Sequence, residues 1–261
     1  TTFQTTSEVV RIDETNFCVF LGGIDSKVHI YTFQHGPEPK LTYSNSLTGH
    51  ENAILDIKAI SLLDPATKHQ YTLVASASKD TFIRVWKIRA LGKDADPSQV
   101  LHEKNTYKIK LSGGGLAIAS LDTLLSVHSD VVSSICWGTL DSLKVHGTVL
   151  TEKDICLLSS SFDFSLLVWS KDQKEDIWYN RNRLGQIGGN KNAFFGAIFN
   201  STSDKILAYT YNGAMYLWEK EKNLDWKPRW TVSGHFSEVS DIDWSYEGDY
   251  LLSTSQDQTS R

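Results

Sequence analysis

The sequence is poor in cysteine, in long apolar runs and in helical periodicity. Its three cysteines, Cys18, Cys136 and Cys156, lie in strand-like apolar runs and show no C-x-x-C spacing. They read as small core residues of a protein from a reducing compartment, and they argue against a disulfide scaffold. His29, His35, His69, His102 and His146 make no H-x-x-x-H pair, so no zinc site is expected. No apolar run reaches the roughly 18 residues that cross a bilayer, and no signal-peptide pattern opens the chain, so no membrane contact is expected. Positive charge is not in excess: 26 Lys and Arg face 31 Asp and Glu, for a net charge of −5. That balance is wrong for a wholly electrostatic nucleic-acid binder. Gly113-Gly-Gly115 lacks the lysine and hydroxyl of a phosphate loop and reads as a flexible loop, and Gly188-Gly189 as a tight turn. Asn200-Ser-Thr202 is a glycosylation sequon, idle in an intracellular protein. The chain begins at Thr1 and ends at Arg261 inside a strand-like pattern, and it reads as a piece of a longer protein.

What is present is a folded composition and a repeat. Of 261 residues 40% are hydrophobic and 22% charged, which excludes a disordered chain and allows one large domain or two small ones. Four segments close on an aromatic residue: Lys27-Val-His-Ile-Tyr31, Phe82-Ile-Arg-Val-Trp86, Ser165-Leu-Leu-Val-Trp169 and Gly213-Ala-Met-Tyr-Leu-Trp218. Each follows a turn signal, and three of those turns follow another strand-like run: Tyr71–Ser76, Ile155–Ser159 and Lys205–Tyr209. A fifth copy, Tyr250–Asp257, starts the same way and stops at Arg261. Upstream, Thr48-Gly49-His50, Val127-His128 and Ser233-Gly234-His235 each precede a strand-like run. His50 to Trp86 spans 36 residues and His128 to Trp169 spans 41.

The recurring residue types have a physical reason to recur together. A histidine from the loop before a strand can bond a strand serine or a turn aspartate. The aspartate can bond turn amides, and a buried indole N–H needs an acceptor that the serine supplies. The second repeat therefore assigns His50, Ser76, Asp80 and Trp86 to one network, and the next assigns His128, Ser159, Asp163 and Trp169. Ser78 and Ser161 share the same strand faces, so the choice of serine stays open at this point. His235 and Asp257 begin a third network. In the repeat ending at Trp218, Asn212 replaces the aspartate and no Gly-His precedes it, so its network must be built differently.

Histidine, aspartate and tryptophan in this order and spacing resemble the WD40 repeat, four-stranded blades of a β-propeller. The fold expected is all-β, a fragment of about five blades of a seven-bladed propeller, some incomplete. The segments read as residues 1–33 the end of a blade, 41–89 a blade, 90–124 an insertion, 125–170 and 184–219 blades, and 231–261 a truncated blade. A narrower resemblance rests on Leu184-Gly-Gln-Ile-Gly-Gly-Asn190, Phe194-Phe-Gly-Ala197, Tyr211–Trp218 and Ser233–Trp244, with Gly248–Ser253 and Asp257–Arg261. Gly22–Tyr31 and Leu47–Asn52 add to it. Together these blocks are similar to the second-subunit family of the Elongator complex. That resemblance implies a non-catalytic scaffold, cytoplasmic and nuclear, holding the largest and the catalytic subunits of an assembly that modifies wobble uridines of tRNA. It also implies links to histone acetylation and transcript elongation. The catalytic subunit, a different chain, uses acetyl-CoA and an iron–sulfur cluster; for this chain no cofactor is implied.

The same residue types also allow other chemistry. Ser76, His50 and Asp80 could be drawn as a catalytic triad, but the same trio repeats, whereas an enzyme needs one exposed nucleophile in a pocket. No catalytic residue is therefore assigned. The basic clusters are Lys104–Lys110 with Lys108 and Lys110, Arg181 and Arg183 with Lys191, and Lys220–Arg229 with Lys227 and Arg229. They are candidates for weak tRNA contact. Trp226 and Trp230 read as partner-binding aromatics of a connecting loop. The alternative function is a substrate-receptor or chromatin-binding propeller. Trp86-Lys-Ile-Arg89, Trp169-Ser-Lys-Asp172 and Trp218-Glu-Lys-Glu221 lack the aspartate after tryptophan that such receptors often carry. A third reading, direct RNA binding, predicts steep salt dependence.

Overall fold

The computed structural model describes residues 3–13, 16–34, 39–91, 106–111, 114–140, 150–172, 174–185, 192–221 and 225–261. Among them every regular element is a β-strand. The chain divides into two compact units, residues 1–126 and 127–261.

The first unit holds two antiparallel sheets. One is a meander of β1 (Gln4–Arg11), β2 (Phe17–Gly23), β3 (Val28–Gln34) and β4 (Lys40–Leu47). The other is built from β5 (Ile54–Leu63), β6 (Gln70–Ser78), β7 (Ile83–Ala90), β8 (Thr106–Lys110) and β9 (Leu116–Leu125), in the order β5-β6-β7-β9-β8. Cys18, Phe20, Val28 and Ile30 of the first sheet pack on Ile54, Ile57, Val74 and Trp86 of the second. Each such aliphatic side chain contributes roughly 1.5–3 kcal/mol when it leaves water.

The second unit repeats the plan. Its first sheet is β10 (Val132–Thr139), β11 (Ile155–Ser161), β12 (Leu166–Lys171) and β13 (Trp178–Leu184). Its second is β14 (Phe194–Phe199), β15 (Lys205–Thr210), β16 (Met215–Lys220) and β17 (Trp226–Val232). A two-stranded sheet, β18 (Val239–Trp244) and β19 (Leu251–Ser255), follows. Leu158, Leu166 and Val168 pack on Phe194, Phe199 and Ile206, while Leu207, Met215 and Leu217 meet Val239 and Ile242. Sheets approach so closely that a Cβ on Gly138 of β10 would lie 2.5 Å from the Phe199 ring. Four complete sheets and one of two strands make a β-propeller fragment.

The sheet boundaries differ from the segments read along the sequence, and the rim strand is the reason each time. The first sheet is complete from Gln4, not the end of a blade, and β4 pairs with β3 although it lies within 41–89. The insertion at 90–124 contains β8 and β9, and β9 pairs directly with β7; residues 92–105 and 112–113 lie outside the described residues. β13 and β17 fall between the segments read as blades. Rim strands are polar and exposed: in β17 every residue after Trp226 is exposed, so no alternation marks it. Central strands lose alternation for the opposite cause. All seven residues of β11 are buried, so no alternation marks it either.

A candidate framework site and the exposed surfaces around it

The loop that enters β5, the middle of β6, the turn after β6 and the end of β7 converge on one network. His50 Nδ1 lies 2.7 Å from Asp80 Oδ2, and its Nε2 lies 2.9 Å from Ser76 Oγ. Trp86 Nε1 donates to the same Ser76 Oγ at 3.2 Å. The proton order that satisfies every atom runs from indole to serine, from serine to imidazole and from imidazole to carboxylate. Asp80 also accepts from the amides of Glu51 and Phe82. Burial pushes its carboxyl up, but the His50 hydrogen bond and those two amides outweigh it and hold the pKa at about 2.

The third sheet repeats the arrangement. His128 meets Asp163 at 3.0 Å and Ser159 at 2.8 Å, and Trp169 donates to Ser159 at 2.9 Å. Burial again raises the Asp163 carboxyl, and bonds from His128 and Ser165 outweigh it, leaving it well below the ordinary carboxylate range. In the two-stranded sheet His235 meets Asp257 at 2.9 Å and Ser253 at 2.8 Å. There the Thr259 hydroxyl does most to lower the aspartate.

The structure also fixes the choice of serine. Ser76 and Ser159 take the histidine and the indole. Ser78 and Ser161 instead receive the amides of Asp80 and Asp163 and donate to the carbonyls of Asn52 and Asp130. Ser253 was missed by the sequence reading, yet its signal was there: it precedes Asp257 by the same four residues that separate Ser76 from Asp80 and Ser159 from Asp163.

The repeat that departs in sequence departs in structure. Ala208 occupies the place of the serine ten residues before Trp218. Asn212 Oδ1 accepts from the Ala214 amide and lies 2.5 Å from the Thr210 hydroxyl, a turn closed within itself. Trp218 packs edge-on against Phe194, 6.1 Å between centroids. In the first sheet Asp25 pairs with His29 at 2.8 Å, again within one turn.

The trio resembles a hydrolase triad in connectivity only. Ser76 and Ser159 are fully buried, and each Oγ already holds an indole N–H, so neither can approach a substrate carbonyl. Burial lifts the thiols of Cys18 and Cys156 to about 12, which leaves them as unreactive core groups. Among the described residues no group of three His, Cys, Asp or Glu side chains could hold a metal ion. Among the described residues no helix is long and apolar enough to cross a membrane.

The candidate contact residues separate. Trp226 is not a loop aromatic. It begins β17, is buried, and packs on Phe199 at 5.9 Å, with Lys220 Nζ over its ring. The register that pairs it with Lys220 turns it into the sheet interface. Trp230, four residues on, is 65% exposed. Lys227 pairs with Glu221 and Arg229 with Glu219, so that cluster is largely self-neutralised. Lys108, Lys110 and Arg183 are exposed on rim strands, and Arg181 is half-buried. The Lys108 and Lys110 backbones are held by Asn45 and Ser44. Lys104, Lys191, residues 186–190 and 222–224 lie outside the described residues.

With this geometry in place, known proteins can be set beside it. The family described as WD domain, G-beta repeat matches residues 41–87 and 226–261. Elongator complex protein 2 of Danio rerio is 31% identical over 243 residues, covering 92% of this chain and 28% of its own length. The Homo sapiens protein of that name is 28% identical over 246 residues, covering 92% of this chain and 28% of its own. The Saccharomyces cerevisiae one is 28% identical over 270 residues, 96% of this chain and 32% of its own. The chain spans less than a third of the length of these relatives.

Proposed function

Starting from a WD40-repeat propeller segment similar to Elongator complex protein 2 over nine-tenths of its own length, we propose that this chain is part of a non-catalytic scaffold subunit of Elongator. In this reading its rigid sheets hold the largest subunit and the catalytic subunit at fixed positions during wobble-uridine modification of tRNA, in cytoplasm and nucleus. The similarity to proteins of that name in animals, yeast and plants carries the reading. The networks support it. The histidines, serines and aspartates that could act on a substrate are spent on holding sheets in register, and rigidity is what a scaffold requires. Exposed Lys108, Lys110 and Arg183 are the places where weak contact with tRNA would fall.

The test is purification of the full-length protein from cells, with its stoichiometric partners identified. Recovery of a large propeller subunit and a radical-type acetyltransferase supports the scaffold role. Recovery of cullin adaptors or nucleosomes in their place overturns it in favour of a receptor or chromatin adaptor. Trp230→Ala tests one contact. It should leave the fold intact and weaken assembly at least tenfold if the exposed indole is an interface anchor.

A further inference from the structure

In the first unit, the strand ends that point away from the framework turns enclose a cavity. His50 precedes the start of β5, whereas Asp64 and His69 belong to the loop that leaves its far end. Ile12 and Asp13 come from the turn after β1, and Arg89 and Leu91 from the end of β7. The cavity measures about 620 Å³. That is the size of a ligand cleft, for which about 300–1,000 Å³ is usual.

Its walls are fixed by backbone. The Ile12 amide donates to the Asn16 carbonyl at 2.9 Å, and the Asn16 amide to Asp13 Oδ1 at 2.8 Å, closing the first turn. The Asp64 amide donates to the His69 carbonyl at 3.0 Å, and the Lys68 amide returns to the Asp64 carbonyl at 2.9 Å. The Leu91 amide donates to the Leu116 carbonyl at 2.8 Å. Arg89 stands in β7 between Tyr71 of β6 and Ile118 of β9. Side chains on such paired strands are held in place before a ligand arrives. Ile12 and Tyr71 are buried and supply an apolar floor, and Lys87 Nζ covers the Tyr71 ring at 4.2 Å.

The polar groups divide into those the fold uses and those it does not. Both carboxylate oxygens of Asp13 accept from the Asn16 amide nitrogen, at 3.0 and 2.8 Å. Asp64 Oδ1 accepts from the Ala66 and Thr67 amides, which hold its carboxyl below the ordinary range and keep it ionised. Arg11, Arg84 and Arg229 each donate to an oxygen of this chain. Arg89 differs: it is exposed, and its guanidinium makes no hydrogen bond or ion pair among the described residues. The side chains of His69 and Gln70, on the same cavity, make none either. A guanidinium fork with free donors matches a carboxylate in two-point geometry. The ionised Asp13 and Asp64 repel a polyanion such as a nucleic-acid backbone, whereas one carboxylate can meet Arg89 at a distance from them.

We propose that this cavity binds an acidic peptide segment of a protein partner. A glutamate or aspartate carboxylate lies in the Arg89 fork with Gln70 and His69 beside it, and the apolar residue next to the acid rests on Ile12 and Leu91. The site holds whichever assembly the chain joins.

The test titrates full-length protein with fluorescein-labelled, carboxyl-terminally amidated Gly-Leu-Glu-Leu-Gly and with counterparts carrying glutamine or arginine for glutamate, read by fluorescence anisotropy. The glutamate peptide should bind at least about tenfold tighter than either counterpart. Arg89→Gln, at an exposed side chain that the fold does not use, should lose at least about tenfold of that affinity. Arg89→Lys keeps the charge without the fork and should fall between the two. Lys79→Gln makes the same change of charge at an exposed site on the far end of the same sheet and should bind as the unaltered protein does. Absence of saturable binding, equal binding of the glutamine peptide, unchanged affinity in Arg89→Gln or an equal loss in Lys79→Gln would overturn the proposal. So would displacement of the peptide by stoichiometric glutarate, which would assign the cavity to a free organic acid, or by stoichiometric oligouridylate, which would assign it to RNA.

Discussion

In the third sheet the tryptophan that closes β12 donates its indole N–H to a buried serine, which a histidine and an aspartate hold in turn. In the fourth sheet the corresponding Trp218 follows an alanine by ten residues and is wedged between Phe194 and Tyr216. The two sheets have the same strand order and pack into one cluster. A polar chain and an aromatic wedge therefore do the same work of fixing the first strand against the third. The polar chain is directional and specifies register. It also fails as a unit, because losing one member leaves the others buried without partners. The wedge depends on volume alone, and its failure is local.

This contrast can be broken most severely at the wedge. Trp218→Ala should cost about 3–5 kcal/mol through the cavity left among Phe194, Tyr216 and their neighbours. Hydrogen exchange of β15 and β16 amides should accelerate, while that of β6 stays unchanged. Protection retained in β15 would show that the wedge does not hold the fourth sheet. Next in size, Asp80→Ala should cost about 1–3 kcal/mol, read as faster exchange in β6 and β7, with no change in any chemical step of an intact assembly beyond loss of protein. A purely kinetic defect at normal abundance would contradict its structural role.

Acid sharpens the comparison with a somewhat smaller effect. The Asp80 carboxyl has a folded-state pKa of about 2, below its ordinary value of 3.8. Its contribution is complete above that ordinary value and is lost as pH falls through the folded pKa. The loss between pH 4 and 2 amounts to about 2 kcal/mol. Exchange protection in β6 should fall over this window, and Asp80→Asn should flatten that dependence. The turn of the fourth sheet carries Asn212 and should show no such step. The smallest effect is expected from Ala208→Ser, which adds a hydroxyl where no framework histidine waits. Exchange in β15 should quicken by about 1 kcal/mol, not slow.

The framework was legible because its geometry is local and periodic. A histidine before a strand, a serine four residues before a turn aspartate and an aromatic at the end of the next strand keep their spacing whatever surrounds them. Ser253 could have been found by the same interval. The rim strands were not legible. β13, with sequence WYNRNRL, and β4, with KLTYSNSL, carry polar residues on a wet edge and offer no period to read. Trp226 and Trp230 show the limit most plainly: two tryptophans four residues apart in one polar segment, one buried on Phe199 and one in water. A bulge where β16 pairs with β17, between Leu217 and Trp218, separates their fates, and no composition announces a bulge.

The sequence by itself determined the repeat, the histidine and aspartate of each polar chain and the broken copy at Asn212, since hydrogen-bonding groups must recur at fixed intervals to meet. Tertiary structure decided which serine takes the indole, which tryptophan is covered, and that Ile12, His69 and Arg89 border one cavity. Those outcomes depend on how neighbouring sheets approach, and residues brought together by that approach are tens of positions apart in the chain.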